Sequence, residues 1–149
     1  MIHRGMRLAA LLLTSLLACA HKSAGEPIEL RRETVAEDKA EVVVELLYTP
    51  KGARQVEITL KMRVNGLVES NKLVVDMFVQ GFNIEDGGSR WDGFILPRQP
   101  QTYRVLLSIP DDREEATAKL SLVRSNDSFP LLREELSFRV GPDGVVAPQ

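Results

Sequence analysis

The stretch Gln55-Val-Glu-Ile-Thr-Leu-Lys-Met-Arg-Val64 alternates polar and apolar residues without a break. Successive side chains of a β-strand point to opposite faces of the sheet. A period of two therefore predicts a strand with one buried face and one solvent-exposed face. The predicted buried side chains are Val56, Ile58, Leu60, Met62 and Val64. A slip of one residue would expose all of them, which fixes the register. Asn65-Gly66 then predicts a turn.

Shorter segments on both sides of this strand repeat its alternation. Apart from Arg32, Gln101 and Glu134, apolar side chains occupy every second position in residues 28–32, 72–80, 101–110, 118–122 and 132–140. Residues 34–47 are ambiguous, since Thr34 and Glu37 have the spacing of a helix capping box. The β-branched run Val42-Val43-Val44 favours a strand over 41–48 instead. Seven or eight short strands separated by turn residues predict an all-β fold, an antiparallel β-sandwich.

The stretch from Leu96 to Ile109 refines this prediction. Its apolar start, Pro-rich centre and ending Tyr-x-Val-x-Leu-x-Ile-Pro resemble the middle strands of bacterial immunoglobulin-like and fibronectin-III-like envelope domains. The resemblance implies an immunoglobulin-like sandwich and no particular activity. We assign the domain to residues 28–141. Gly141-Pro142-Asp143-Gly144 ends the last strand, and we expect residues 142–149 to form a loose tail.

The N-terminus has the three regions of a secretory signal. Arg4 and Arg7 precede an apolar run over residues 8–18, too short to span a bilayer as a helix, and the run ends at Leu16-Leu17-Ala18-Cys19. These four residues resemble the lipobox of bacterial lipoproteins. The resemblance implies a signal peptide over residues 1–18 and a lipidated Cys19 on a flexible tether, residues 19–27. An ordinary secretory signal, cut after Ala18 or Ala20, is the alternative.

The lipoprotein resemblance also implies a location. A diacylglycerol on the sulfur of Cys19 and an acyl chain on its amine would hold the protein firmly on a membrane, because each buried methylene adds about 0.8 kcal/mol. Ala20 stands where the family's inner-membrane retention signal has aspartate. We therefore expect an outer-membrane lipoprotein. The sequence does not indicate whether its domain faces the periplasm or the cell surface.

Composition excludes several classes of function. Without Arg4 and Arg7, the chain holds 17 basic and 21 acidic residues, a net charge of −4, which argues against nucleic-acid binding. Cys19 is the only cysteine, and the two histidines, His3 and His21, precede the predicted domain. A histidine base or a Cys/His zinc site in the sandwich is therefore excluded. We predict no catalytic residue, no enzyme activity and no cofactor.

The irregular segment Gly81 to Gln101 is the place where we expect any specific binding. It lacks sustained periodicity and is predicted to be a long connection at one end of the sandwich. Its candidate binding residues are Phe82, Arg90, Trp91 and Phe94, because aromatic and arginine side chains dominate binding hot spots. The alternative for Trp91 is a place in the sandwich core.

Three carboxylates in the same segment raise the question of a metal. Glu85, Asp86 and Asp92 lie near Gly87, Gly88 and Gly93, and a calcium loop uses carboxylate and carbonyl oxygens. Their spacing does not match an EF-hand. A solvated turn accounts for the same residues, and we favour it, so no metal site is predicted.

Together these patterns predict a lipid-anchored, non-enzymatic interaction module. Its partners would be the membrane, through the lipid on Cys19, and another envelope protein, as in a subunit or assembly factor of an envelope complex. The alternative is a ligand-binding module that contacts a glycan or peptide through residues 82–94.

Overall fold

The computed structural model describes residues 25–37, 40–66, 72–125 and 130–149, which form strands and turns and no helix. Within these ranges, nothing resembles a helix long and apolar enough to cross a bilayer. The strands, in chain order, are β1 (Ile28–Glu37), β2 (Ala40–Gly52), β3 (Gln55–Gly66), β4 (Lys72–Gln80), β5 (Asn83–Asp86), β6 (Arg90–Phe94), β7 (Gln101–Ser108), β8 (Glu115–Arg124), β9 (Pro130–Val140) and β10 (Val146–Pro148).

The strands form two antiparallel five-stranded sheets, which confirms the predicted β-sandwich. The first sheet has the order β1-β2-β3-β7-β5, and the second has the order β10-β9-β8-β4-β6. Strands β2-β3-β7-β5 follow the order of the A-B-E-D sheet of an immunoglobulin domain, and β9-β8-β4 follow its G-F-C sheet. Strands β1, β6 and β10 are added at sheet edges, which brings the described total above the predicted seven or eight.

The core lies between the inward faces of the two sheets. Val56, Ile58, Leu60, Met62 and Val64 of β3 are all buried, as their alternation predicts. They face the inward residues of β4, β8 and β9, among them Val75, Leu120, Leu122 and Phe138. Each fully buried aliphatic side chain of this kind contributes roughly 1.5–3 kcal/mol, so the central strands carry most of the stability.

Within the predicted ambiguous segment, residues 34–37 and 40–47 are strand, so the helical alternative is wrong. Strands β1 and β2 pair in antiparallel register from Ile28↔Tyr48 to Glu37↔Ala40. The β-branched run therefore prevails over the capping-box spacing, because a neighbouring strand on each side satisfies its backbone. Strand β2 also continues past Pro50 to Gly52, and the turn before β3 is Ala53-Arg54.

The outward face of β2 and β3 is less exposed to solvent than the alternation predicts. Thr59 points away from the core yet is only 5% exposed, and its cross-strand neighbour Leu47 is also buried. Long charged side chains surround this spot, including the Arg104–Glu57 pair at 3.5 Å. Such side chains cover apolar surface with their methylene stems while their charges stay in water.

Two regions that are expected to be irregular, residues 81–101 and 142–149, contain β-strands instead. The segment 81–101 is not a single long connection, because β5 joins the first sheet beside β7 and β6 joins the second beside β4. The expected loose tail is also wrong, since β10 pairs with β9 and Val146 is fully buried. In both places a short strand gains hydrogen bonds at a sheet edge that would otherwise be unpaired.

Candidate interaction face

Strand β6 is an edge strand, and its pairing with β4 decides where its side chains point. The register sets Trp91 opposite Val75, Arg90 opposite Asp76 and Phe94 opposite Lys72. Val75 is buried in the core, so Trp91 and Gly93 share the inward face. Arg90, Asp92 and Phe94 share the outward face, because side chains alternate along a strand.

The inward side chains of the segment belong to the core. Trp91 is half-buried and packs against the core, and Phe82 is buried with its ring edge-on to Phe138 at 5.8 Å between centroids. The four candidate binding residues are thus divided: Phe82 and Trp91 face inward, and Arg90 and Phe94 face outward. The core alternative for Trp91 is the one that this arrangement favours.

The outward side chains form a surface that we call the β4–β6 face. It consists of the outward residues of the two strands, which are Lys72, Val74, Asp76, Phe78, Arg90, Asp92 and Phe94. Two ion pairs cross between the strands on this face, Arg90–Asp76 at 3.1 Å and Lys72–Asp92 at 3.5 Å. Exposed pairs of this kind contribute at most about 1 kcal/mol each, so they organise the surface more than they stabilise the fold.

Two phenylalanines stand at opposite ends of the β4–β6 face. Phe94 is 61% exposed and Phe78 is 66% exposed. Phe94 lies opposite Lys72, six residues before Phe78 on β4, which puts the two rings roughly 20 Å apart along the strand. The face therefore presents two apolar contacts with a charged stretch between them.

A shallow groove of about 580 Å³ extends from Phe78 across β8 to β9. Its polar side chains include Asp76, Lys119, Arg133 and Glu135. Lys119 and Glu135 form an ion pair at 3.6 Å, whereas Arg133 has no ion-pair partner among the described residues. The groove thus has the phenyl ring of Phe78 on its β4 side and the guanidinium of Arg133 on its β9 side, with β8 between them.

Sequence reasoning overlooked Phe78 as a candidate. The only signal was the mixed second face of the strand 72–80, where Val74, Asp76 and Phe78 alternate with the core residues. Val74 is buried on this outer face while Phe78 is exposed, and the sequence pattern does not distinguish the two. The difference arises because Val74 lies between neighbours on β6 and β8, and Phe78 lies beyond the last paired residue of β6.

The candidate calcium carboxylates do not come together. Glu85 and Asp86 lie on β5 in the first sheet, and Asp92 lies on β6 in the second. Glu85 accepts a hydrogen bond from the hydroxyl of Ser108, and Asp92 pairs with Lys72. In the described part of the chain, no three His, Cys, Asp or Glu residues are grouped as a metal site requires.

Tyr103 ties the turn between β5 and β6 to the body of the sandwich. Its hydroxyl donates a 2.6 Å hydrogen bond to the carbonyl oxygen of Gly88. Burial raises the pKa of Tyr103 to about 12, and the negative charge of Asp76 adds to the effect. The phenol therefore stays protonated at neutral pH and keeps donating, which holds β6 in place beside β4.

No protein-family model matches the chain, and no match was found among curated proteins. The proposed lipid attachment site, Cys19, lies outside the residues that the structure describes.

Proposed function

We propose that the chain is an outer-membrane lipoprotein whose β-sandwich binds another envelope protein through the β4–β6 face. Cys19 carries the lipid, and residues 1–18 are removed as a signal peptide. The module acts by binding and not by catalysis. In this proposal it serves as a subunit or assembly factor of a larger envelope complex.

The anchoring part of the proposal rests on Leu16-Leu17-Ala18-Cys19. The apolar run before it is the right length for a signal peptide, and Ala18 is the small residue that a signal peptidase accepts. The binding part rests on one structural observation, the exposure of Phe78 and Phe94 on an otherwise charged face. Buried aromatic anchors surrounded by polar groups are the usual composition of a protein-binding hot spot.

Substitution of the cysteine tests the anchoring. Cys19→Ser removes the sulfur that would receive the diacylglycerol, so we expect an uncleaved precursor or a soluble protein. The wild-type protein, extracted from membranes, should begin at Cys19 and carry the mass of the attached lipid. A mature N-terminus at another residue, or an unmodified Cys19, would refute the lipoprotein assignment.

Substitution of the exposed phenylalanines tests the binding. Phe94→Ser and Phe78→Ser should each abolish the stoichiometric co-purification of a membrane protein partner while leaving the melting temperature unchanged. Ile28→Ser is a matched control, because Ile28 is an apolar residue, 47% exposed, on β1 of the other sheet. Equal retention of the partner by all three variants would rule out the β4–β6 face.

The groove beside Phe78 supports a second candidate, a ligand-binding module for a glycan or a peptide. A ligand that spans the groove would stack a sugar ring on Phe78 at one side and pair a carboxylate with Arg133 at the other. Native mass spectrometry of the purified protein separates the two functions. A bound small molecule that disappears in Phe78→Ser, with no protein partner, would favour ligand binding.

A further inference from the structure

The chain enters the sandwich at a fixed point. The backbone N–H of Gly25 donates a 3.0 Å hydrogen bond to the carbonyl oxygen of Pro50. A Cβ atom placed on Gly25 would lie 3.2 Å from Cδ of Pro50, so the chain passes close against that ring. Strand β1 begins three residues later, at Ile28 opposite Tyr48. The entry point is therefore the end of β2.

Three connections meet around this entry point and form what we call the Arg54 end. They are the β2–β3 turn (residues 53–54), the β7–β8 connection (residues 109–114) and the β9–β10 turn (residues 141–145). The N–H of Arg54 donates to the carbonyl of Gly144, and the carbonyl of Arg54 accepts from the N–H of Ile109, each at 2.8 Å.

The guanidinium of Arg54 adds to this network. It donates to the carbonyl oxygen of Ile109 at 2.9 Å, to that of Pro110 at 2.6 Å, and to that of Arg113. One side chain thus holds the β7–β8 connection against the β2–β3 turn. The Arg54 end is a hydrogen-bonded base and not a set of independent loops.

Covalent geometry limits how far this base can lie from a lipid on Cys19. Six residue steps separate Cys19 from Gly25, and an extended chain covers at most about 3.3–3.6 Å per residue, or about 20 Å in total. We infer that the Arg54 end is the membrane-facing end of the domain, an inference that rests on the proposed lipidation of Cys19.

The opposite end of the sandwich then points away from that bilayer. Strand β3 has 12 residues, so the two ends lie about 40 Å apart. Phe94 and the exposed Leu96 lie at the far end, beside Lys72 and the first residues of β7. On the β4–β6 face, Phe94 is therefore the contact far from the anchoring membrane, and Phe78, opposite Lys119 near the start of β8, is the contact closer to it.

The tether, and not charge, sets this orientation. The Arg54 end carries Asp111, Asp112 and Glu114 close to Arg54 and Arg113, and two of these carboxylates pair with Arg54. Mixed charges of this kind give no net attraction to anionic lipid, which binds runs of basic residues. The orientation should therefore be the same on neutral and on anionic vesicles.

Energy transfer to labelled lipids tests the inference. Because the chain has no cysteine besides Cys19, a cysteine introduced by Asp112→Cys or by Gln99→Cys would be the only free thiol of the acylated protein. Both residues are exposed, Asp112 at the Arg54 end and Gln99 in the β6–β7 connection at the far end. A donor dye on each variant is measured in phosphatidylcholine vesicles that contain an acceptor-labelled lipid.

The expected result is a higher transfer efficiency for the Asp112→Cys label than for the Gln99→Cys label, unchanged when phosphatidylglycerol is added to the vesicles. Insertion of a 20-residue Gly/Ser linker after Ser23 should reduce the difference between the two. Equal efficiencies, or a higher value at position 99, in vesicle-bound acylated protein would overturn the orientation alone. Protein that carries no lipid and does not bind vesicles would refute the proposed anchoring instead.

Discussion

The indole ring of Trp91 lies over Gly93, two residues further along β6. A Cβ atom on Gly93 would come within 2.7 Å of Cζ2 of Trp91 and 3.1 Å of its Cη2. The absence of a side chain at position 93 thus makes the room that the inward-facing tryptophan occupies. This relationship explains why an edge strand of five residues contains both a tryptophan and a glycine.

We expect Gly93→Ala to destabilise the domain by about 1–3 kcal/mol, the usual cost of overpacking a well-filled site. Because Trp91 is the only tryptophan, its emission should shift as the ring moves. Gly88→Ala is the matched control, since a Cβ there meets nothing closer than 3.6 Å. Urea unfolding and fluorescence of both variants check the prediction, and equal stabilities would contradict it.

Neighbouring residues of β6 should differ sharply in their effect on stability. Trp91→Ala should cost about 2 kcal/mol, less than the roughly 3–5 kcal/mol of a fully buried tryptophan, because the ring is only half-buried. Arg90→Ala removes only an exposed ion pair with Asp76 and should cost less than about 1 kcal/mol. Chemical denaturation of both variants decides the matter. A larger loss for Arg90→Ala would reverse the assigned faces of β6.

The register of β3 predicts a similar contrast between adjacent residues. Leu60→Ser should cost about 3 kcal/mol or more, since Leu60 is fully buried in the core. Lys61→Ser, one position along, should change the free energy of unfolding by no more than about 0.5 kcal/mol, because Lys61 is exposed. Thr59 is unsuitable as the control, being covered on the outer face. Similar midpoints in urea for the two variants would refute the register.

Tyr103 should make stability depend on pH in the alkaline range. Its pKa is raised to about 12 in the folded state, so the unfolded chain loses its proton first, near pH 10. The stabilisation is therefore complete below pH 10 and declines as pH rises towards 12. Tyr103→Phe should lose about 1 kcal/mol at pH 8, for the hydrogen bond to Gly88.

The difference in unfolding free energy between wild type and Tyr103→Phe should then change by about 1.4 kcal/mol between pH 8 and pH 11, to the disadvantage of the wild type. Comparing the two proteins cancels the titration of their common lysines. Urea titrations at both pH values provide the measurement. A difference that does not vary with pH would mean that the phenol of Tyr103 is not protected from ionisation.

The sequence predicts the long strands well, because their burial follows a local period. The alternation from Gln55 to Val64 predicts the inward face of β3 correctly, and the same is true of Leu136, Phe138 and Val140 on β9. In these strands each side chain's environment depends mainly on which way it points. A period of two in the sequence is then sufficient information.

The short edge strands are not predicted because they are too short to show a period of two. Strand β5 has four residues and is ordered by hydrogen bonds to β7, which is not its neighbour in the chain, whereas β10 pairs with the preceding strand β9 but has only three residues, too few to show a period. The binding face likewise depends on pairing between strands. Phe94 and Phe78 stand on one surface only because β6 pairs with β4, and that pairing cannot be read from the segment 81–101 alone.

Photo-crosslinking in intact membranes tests the central claim most directly, that this is an anchored module that binds a protein through the β4–β6 face. Benzoylphenylalanine replaces Phe94, Phe78 or, as a control, the exposed Thr102 on the outer face of the other sheet. We predict one discrete crosslinked protein from positions 94 and 78 and none from position 102. No crosslink at either phenylalanine, or the same product from position 102, would contradict the account.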